Sequence, residues 1–361
     1  MADPRIESYA KLLIETCLDV QPGWQVVVGS SYLGRPLVEE VSRQLARKGA
    51  YAITRIGFNG TGVGPALAWV QDAPEELLKE LPSIERHVLE NLDALIVIVA
   101  PENTRESSAI PPDRLQLMQA AARPAQERIV SGDVPWVGCQ YPTPALAQEA
   151  EMSLQQFEDF LYGAVLLDWD EEARKMERIK ERFDRADQVR IVGAETDLTL
   201  SLAGREGKVD AGGANIPGGE VFYSPVEDSA EGTIAFTEFP AVLAGREIQG
   251  IRFRFEGGKV VDASAAKNEA FLIETLDTDE GARRLGELGI GCNPGITRHM
   301  KNTLFDEKIY GTVHLALGKG FPWLGGSNDS LIHWDIVKDL RKGGELYCDG
   351  ELVQQSGEWK L

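Results

Sequence analysis

Residues 92–100 read LDALIVIVA, and the architecture of the chain's first half turns on how that run is taken. Apart from Asp93 it is apolar throughout, with no alternation of wet and dry positions. A strand covered by helices on both faces has this composition, because neither of its faces meets water. The flanking sequence supplies the helices. Residues 4–18 and 37–48 carry apolar side chains at helical spacing. QVVVGSS (25–31) and YAITRIGF (51–58) are short apolar runs between them, and VPWVGCQYP (134–142) reads as a further strand. Buried strands alternating with helices imply a parallel sheet joined by crossovers. The expectation is an α/β N-terminal domain with a largely parallel sheet.

Further along, the texture changes twice. Residues 153–185 are long, periodic and charged, with Asp170, Glu171 and Glu172 ahead of Lys175, Arg178, Lys180 and Arg182. That order suits the helix dipole and i,i+4 pairing, and it reads as the solvated face of a connecting helix. From Gln188 onward, QVRIVG, TDLTLSLAG, TIAFTEF, IQGIRFRFEGGKVVDASA and GTVHLALG alternate as strands do, and EGGK (256–259) marks a hairpin. One helix is expected over roughly residues 267–288. The division that follows is 1–185, an α/β domain ending in a long charged helix, and 186–361, an α+β domain rich in antiparallel strands.

Composition narrows the partners. The chain has 361 residues, and 37 Lys+Arg against 57 Asp+Glu give a net charge of −20. Such a surface repels phosphate backbones and anionic headgroups, so neither nucleic acid nor a membrane is expected as partner. No apolar run approaches the roughly 18–20 residues that span a bilayer. The opening MADPRIESYAKLLIETCL lacks the pattern of a secretory signal. Four scattered cysteines without a CxxC pair point to reduced thiols in a cytoplasmic protein. GTGVG (60–64) is followed by Pro65 and completes no phosphate-binding motif, and no G-x-S-x-G elbow occurs.

Of the four histidines, His87 and His299 read as structural or exposed. His314 lies in the alternating VHLAL, and His333 stands two residues before Asp335 in LIHWDIV, so that pair shares one face of a strand. Taken alone, the pair reads first as a hydrogen-bonded couple at a sheet edge, and only second as a ligand pair. Glu220, in NIPGGEVFYSP, and Glu287, in RRLGELGIGCNP, add two carboxylates. Two glutamates, two histidines and an aspartate suffice for two nearby divalent cations with one bridging carboxylate.

GGEVF (218–222), TDEGARRLGELGIG (278–291), LFDEK with TVHLALG (304–308 and 312–318) and NDSLIHWD (328–335), in that order, resemble the thermophilic-type metallo-aminopeptidases, the aminopeptidase T and S family. Residues 9–28, YAKLLIETCLDVQPGWQVVV, resemble the family's opening helix and strand more loosely. The resemblance implies a dinuclear exopeptidase, cytoplasmic and homodimeric, acting on peptides with a free N-terminus. It implies metal ligands at Glu220, Glu287, His314, His333 and Asp335, and a general base at Glu220 or Glu287. The expected metals are two divalent ions, zinc or cobalt first, then manganese or iron. The chain departs from the family pattern where a tyrosine is expected seven positions after the first histidine: GKGFP puts Phe321 there, and a phenyl ring donates no hydrogen bond. The connection between the two histidines is also short for the family. Two other readings stand beside this one. The first is a mononuclear non-haem iron(II) ring-cleaving dioxygenase of the same fold, and the second is a metal-stabilised peptide-binding protein without turnover.

Overall fold

LDALIVIVA supplies a strand, Ala94–Val99, at the centre of a five-stranded sheet. The computed structural model describes residues 3–130, 132–243 and 245–360. The strand order is Tyr51–Gly57, Gln25–Ser31, Ala94–Val99, Trp136–Gln140 and Asn215–Ile216, and every pairing is parallel. Parallel neighbours need crossovers, and helix Arg35–Lys48 is the first of them. It buries Leu37, Val38, Val41 and Leu45, and it stops at Gly49, whose φ of 78° is the left-handed cap a glycine adopts without penalty.

The chain divides into two compact units, Met1–Leu166 with Gly212–Ile216, and Leu167–Ala211 with Pro217–Leu361. The short strand Asn215–Ile216 explains the first unit's second segment, since it completes the parallel sheet beside Trp136–Gln140. The boundary anticipated after residue 185 therefore differs from the observed one, which precedes the charged helix. Residues 153–185 are two helices, Leu154–Val165 and Trp169–Phe183, and the Asp168 side chain caps the second by accepting from Glu171 N–H. Behind its charged face that helix carries Met176, Ile179 and Phe183, all buried in the core of the second unit.

The second unit holds an eight-stranded and a five-stranded sheet, both antiparallel among their described strands, with a two-stranded ribbon. EGGK closes a hairpin between Ile251–Glu256 and Lys259–Ser264. Gly257 and Gly258 both have positive φ, at 54° and 74°, as the tight hairpin turn demands. One core joins the two large sheets. Ile191, Leu198, Phe236 and Phe253 come from the larger, and Leu288, Ile290, Leu315 and Ile336 from the smaller. Each such side chain contributes about 1.5–3 kcal/mol relative to exposure, so the face each strand turns inward is fixed.

The helix expected over 267–288 is shorter. Glu269–Leu276 is helical, Gly281–Arg283 makes one tight turn, and Leu285–Gly291 is a strand. Every residue of that strand is buried, so it shows no polar alternation. Its glycines, poor helix formers, are tolerated because neighbouring chains approach closely there.

Candidate metal centre

The five-stranded sheet runs in the order His333–Asp339, Thr312–Gly318, Leu285–Gly291, Glu220–Tyr223, Lys208–Asp210. Its register brings the implied ligands together. Glu220 pairs with Gly291, Gly289 with His314, Glu287 with Ala316, Ala316 with Asp335, and Gly318 with His333. Paired positions share a face, so Glu220, Glu287, His314, His333 and Asp335 all point to the same side. The opposite side carries Val221, Leu288, Ile290, Leu315 and Trp334 into the core. A bulge at Gly286 is needed for this. Leu285 pairs with Leu317 and Glu287 with Ala316, so the extra residue lets Leu285 face the core while Glu287 faces the ligands. Gly289, Gly291, Ala316 and Gly318 stand between the ligating side chains and leave them room. A Cβ added at Gly289 would lie 1.9 Å from Cε1 and Nε2 of His314.

Two donor groups result, Glu220–Glu287–His314 and Glu287–His333–Asp335, each with its ligand atoms within 4.8 Å of one another. Glu287 belongs to both. Its Oε1 is 3.4 Å from His314 Nε2 and its Oε2 is 3.0 Å from His333 Nε2. His314 Nε2 is also 3.4 Å from Glu220 Oε2, and His333 Nε2 is 3.7 Å from Asp335 Oδ1. Each imidazole is anchored from behind, His314 Nδ1 on the Glu307 carbonyl at 2.9 Å and His333 Nδ1 on the Lys319 carbonyl at 2.8 Å. A carbonyl only accepts, so Nδ1–H donates in both rings, and Nε2 is the nitrogen left to hold a cation.

Electrostatics favour positive charge here. Glu220, Glu287 and His314 are buried, whereas His333 keeps 31% of its side chain exposed. Burial opposes protonation of His314 and His333, yet hydrogen bonds to Glu287 and the nearby carboxylates raise them to about 10 and about 9. Burial would raise Glu287, but the two histidines hold it down at about 2. Burial dominates at Glu220, pushed up to about 8, and at Asp335, pushed up to about 6. Glu220 Oε2 and Asp335 Oδ1 are buried without a hydrogen-bond partner. An unpaired buried carboxylate oxygen is costly, and a cation held between each such oxygen and the imidazole Nε2 of its own group would remove that cost. The donor set, oxygen and imidazole nitrogen, suits zinc, cobalt, manganese or iron.

The structure adds residues that the sequence left unassigned. Lys308, wholly buried, is 3.2 Å from Glu220 Oε1 and paired with the Glu307 carboxylate. Burial alone would lower its pKa, but Glu220, Glu307 and Asp210 raise it above the usual lysine range. The signal was the LFDEK motif, which gave no hint of the distant partner. Phe321 packs beside the site, with ring centroids 5.2 Å from His333, 5.4 Å from Phe222 and 4.8 Å from Trp323. The remaining histidines stand apart from the cluster. His87 is exposed on helix Ser83–Asn91, and His299 stacks on Phe239 with Nε2 3.2 Å from Asp306.

Comparison with known proteins adds a family and a fold. The profile of the thermophilic metalloproteases (M29) matches residues 2–359. Aminopeptidase 2 of Geobacillus stearothermophilus is 28% identical over 412 aligned residues, covering 99% of this chain and 98% of its own. Aminopeptidase T of Thermus thermophilus is 27% identical, covering 98% of each. The solved structure of wild-type AmpT from Thermus thermophilus superposes with a TM-score of 0.82 at 23% identity, covering 99% of both chains. A 2,5-dihydroxypyridine dioxygenase from Pseudomonas putida KT2440 shares the fold at a TM-score of 0.63 and 15% identity, over 98% of this chain and 96% of its own.

Proposed function

Because this chain belongs to the thermophilic metalloprotease (M29) family, we propose that it is a metal-dependent aminopeptidase, removing residues from the free N-terminus of short peptides at a dinuclear centre. The observation that carries the dinuclear reading is the position of Glu287, one carboxylate shared by two donor groups with one oxygen turned to each histidine. Charge supports it. Glu220, Glu307 and Asp210 surround Lys308, Glu287 and Asp335 add two more carboxylates to the cluster, and two divalent cations would neutralise what the lysine leaves.

In this reading Glu220, Glu287 and His314 hold one cation, and Glu287, His333 and Asp335 the other, zinc or cobalt before manganese or iron. When bound, the cations supply Lewis acidity, polarising a carbonyl and lowering the pKa of water from about 15.7 toward neutrality. The protein's own groups do the rest. Glu287 has both oxygens engaged by histidines and serves as the bridge. Glu220, which belongs to one donor group only, is the carboxylate that would accept a proton from the attacking water and return it to the leaving amine. The substrate's α-amino group would bind a cation or a carboxylate of the centre, which restricts cleavage to the chain end. His333, the most exposed of the five, marks the side from which the peptide enters, past Phe321 and Trp323. The reading also includes a cytoplasmic homodimer with peptides as partners; the charge of −20 disfavours nucleic acid and membranes.

The likeness to a dioxygenase keeps a single-iron reading in the test. An iron triad needs both histidines and the aspartate around one point, whereas here the histidines fall in different groups. Metal content per chain, followed by leucine-p-nitroanilide hydrolysis after chelation and re-addition of Zn²⁺, Co²⁺, Mn²⁺ or Fe²⁺, separates the readings. About two metals with chelator-sensitive hydrolysis is the expected result. One iron with substrate-dependent oxygen uptake overturns it, and so does metal uptake without turnover across a panel of peptides.

A further inference from the structure

Glu220 and Glu287 are the same side chain in the same centre, yet they are held differently. Glu287 turns one oxygen to each histidine. Glu220 turns Oε2 to His314 and Oε1 away from it, to Lys308 Nζ at 3.2 Å. Lys308 is entirely shielded from solvent, so its charge is not screened by water. Its ammonium is fixed from a second side by the Glu307 carboxylate, and Asp210, opposite Glu220 in the sheet, adds a third negative group nearby. The neighbouring carbonyl, that of Glu307, orients His314. Two consecutive residues thus address two of the three members of one donor group, one through its main chain and the other through its charge.

We infer that Lys308 is a positioning residue of the metal centre: it occupies Oε1 of Glu220, so that Glu220 meets the cation through Oε2 alone. A carboxylate restrained in this way cannot chelate through both oxygens. It therefore binds less tightly, and its second oxygen stays off the cation. The inference rests on the metallopeptidase reading above and adds to it a residue that touches neither metal nor substrate.

The sign of the effect separates this role from a merely structural one. Lys308→Met preserves the buried stem and removes the charge, which frees Oε1 and leaves one more uncompensated negative charge beside the cation. Metal-free protein titrated with Zn²⁺ against a chromophoric chelator should then bind about tenfold tighter or more. The visible spectrum of the Co²⁺-loaded variant should shift, and kcat on leucine-p-nitroanilide should fall with KM little changed. A lysine that only supports the fold would give weaker binding when lost. Folded Lys308→Met with unchanged or weaker Zn²⁺ affinity overturns the inference. Where that variant does not fold, Glu307→Gln decides, because it releases Lys308 to act more fully on Glu220 and must weaken Zn²⁺ binding; unchanged or tighter binding there overturns it equally. Wild-type protein that takes up no metal defeats the functional reading itself, whereas a metal-binding wild type with an indifferent Lys308→Met defeats this inference alone.

Discussion

Gly289→Ala adds one methyl group and tests whether the sheet register positions His314. Gly289 is not among the positive-φ glycines, so alanine fits its backbone and the perturbation is purely steric. The new Cβ would stand 1.9 Å from His314 Cε1 and Nε2, against an ordinary contact distance of at least 3.4 Å. The ring must retreat by about 1.5 Å or the strands must separate. Retreat is opposed on its other side by the bond from Nδ1 to the Glu307 carbonyl. Overpacking of this kind costs about 1–3 kcal/mol of stability. A misplacement near 1 Å costs on the order of 100-fold in a reaction that depends on alignment. Urea unfolding of the chelated protein should therefore show a modest loss of stability, while Zn²⁺ retention and leucine-p-nitroanilide turnover fall by two orders of magnitude or so. The two readouts must diverge. A Gly289→Ala protein with wild-type metal content and kcat would refute the placement of His314 against that glycine.

Three other perturbations follow from the same geometry. In chelated protein, burial lowers His314 and His333 but Glu287 prevails, raising them from 6.5 to about 10 and about 9; their stabilising contribution is complete below pH 6.5 and is lost as pH climbs through 9 to 10. Denaturant melts should thus show metal-free protein weakening over that window and metal-loaded protein holding level, and equal stability of the chelated form at both ends would contradict it. Phe321→Tyr restores a hydroxyl at the edge of the site and should raise kcat on the order of tenfold with little change in KM; an unchanged kcat in a folded variant would rule out a donor role at this position. Lys338, wholly buried, donates to the Ala235 carbonyl at 2.8 Å, the Ala194 carbonyl at 3.3 Å and Glu238 at 2.7 Å; Lys338→Ala should cost about 3 kcal/mol in urea unfolding, and a loss below 1 kcal/mol would refute its structural role.

The parts of this protein legible in its sequence are those with local causes. LDALIVIVA announces a doubly covered strand because seven consecutive apolar residues suit no half-wet face, and EGGK announces its turn because two glycines permit positive φ. His333 and Asp335 share a face by the period of a strand, which two residues suffice to reveal. The apposition of Glu220, Glu287 and His314 has no local cause. It depends on a register between three strands and on a bulge at Gly286, and the residues themselves revealed only that enough ligands existed. Family resemblance grouped them before any geometry did. Residues 285–288 read in sequence as the end of a helix, because burial on both faces of the strand Leu285–Gly291 erases the alternation that identifies a strand. The charged helix Trp169–Phe183 reads in sequence as the end of the first domain, because Met176, Ile179 and Phe183, which pack in the second unit, are outnumbered by charges in the same segment. Lys308 was invisible as a site residue, since its partner Glu220 lies in a different strand far along the chain.

The carbonyls behind His314 and His333 belong to the main chain, which makes them the least mutable component of the centre. Any amino acid at position 307 or 319 offers the same oxygen, so no substitution there deletes the group that selects the metal-binding tautomer. A site whose imidazoles were aligned by side-chain carboxylates would lose that alignment to a single codon change. Here the alignment is inherited with the course of the backbone. Sequence divergence in this part of the molecule can therefore retune charge and shape around the cations, as Phe321 does, while the nitrogens that hold them keep their aim.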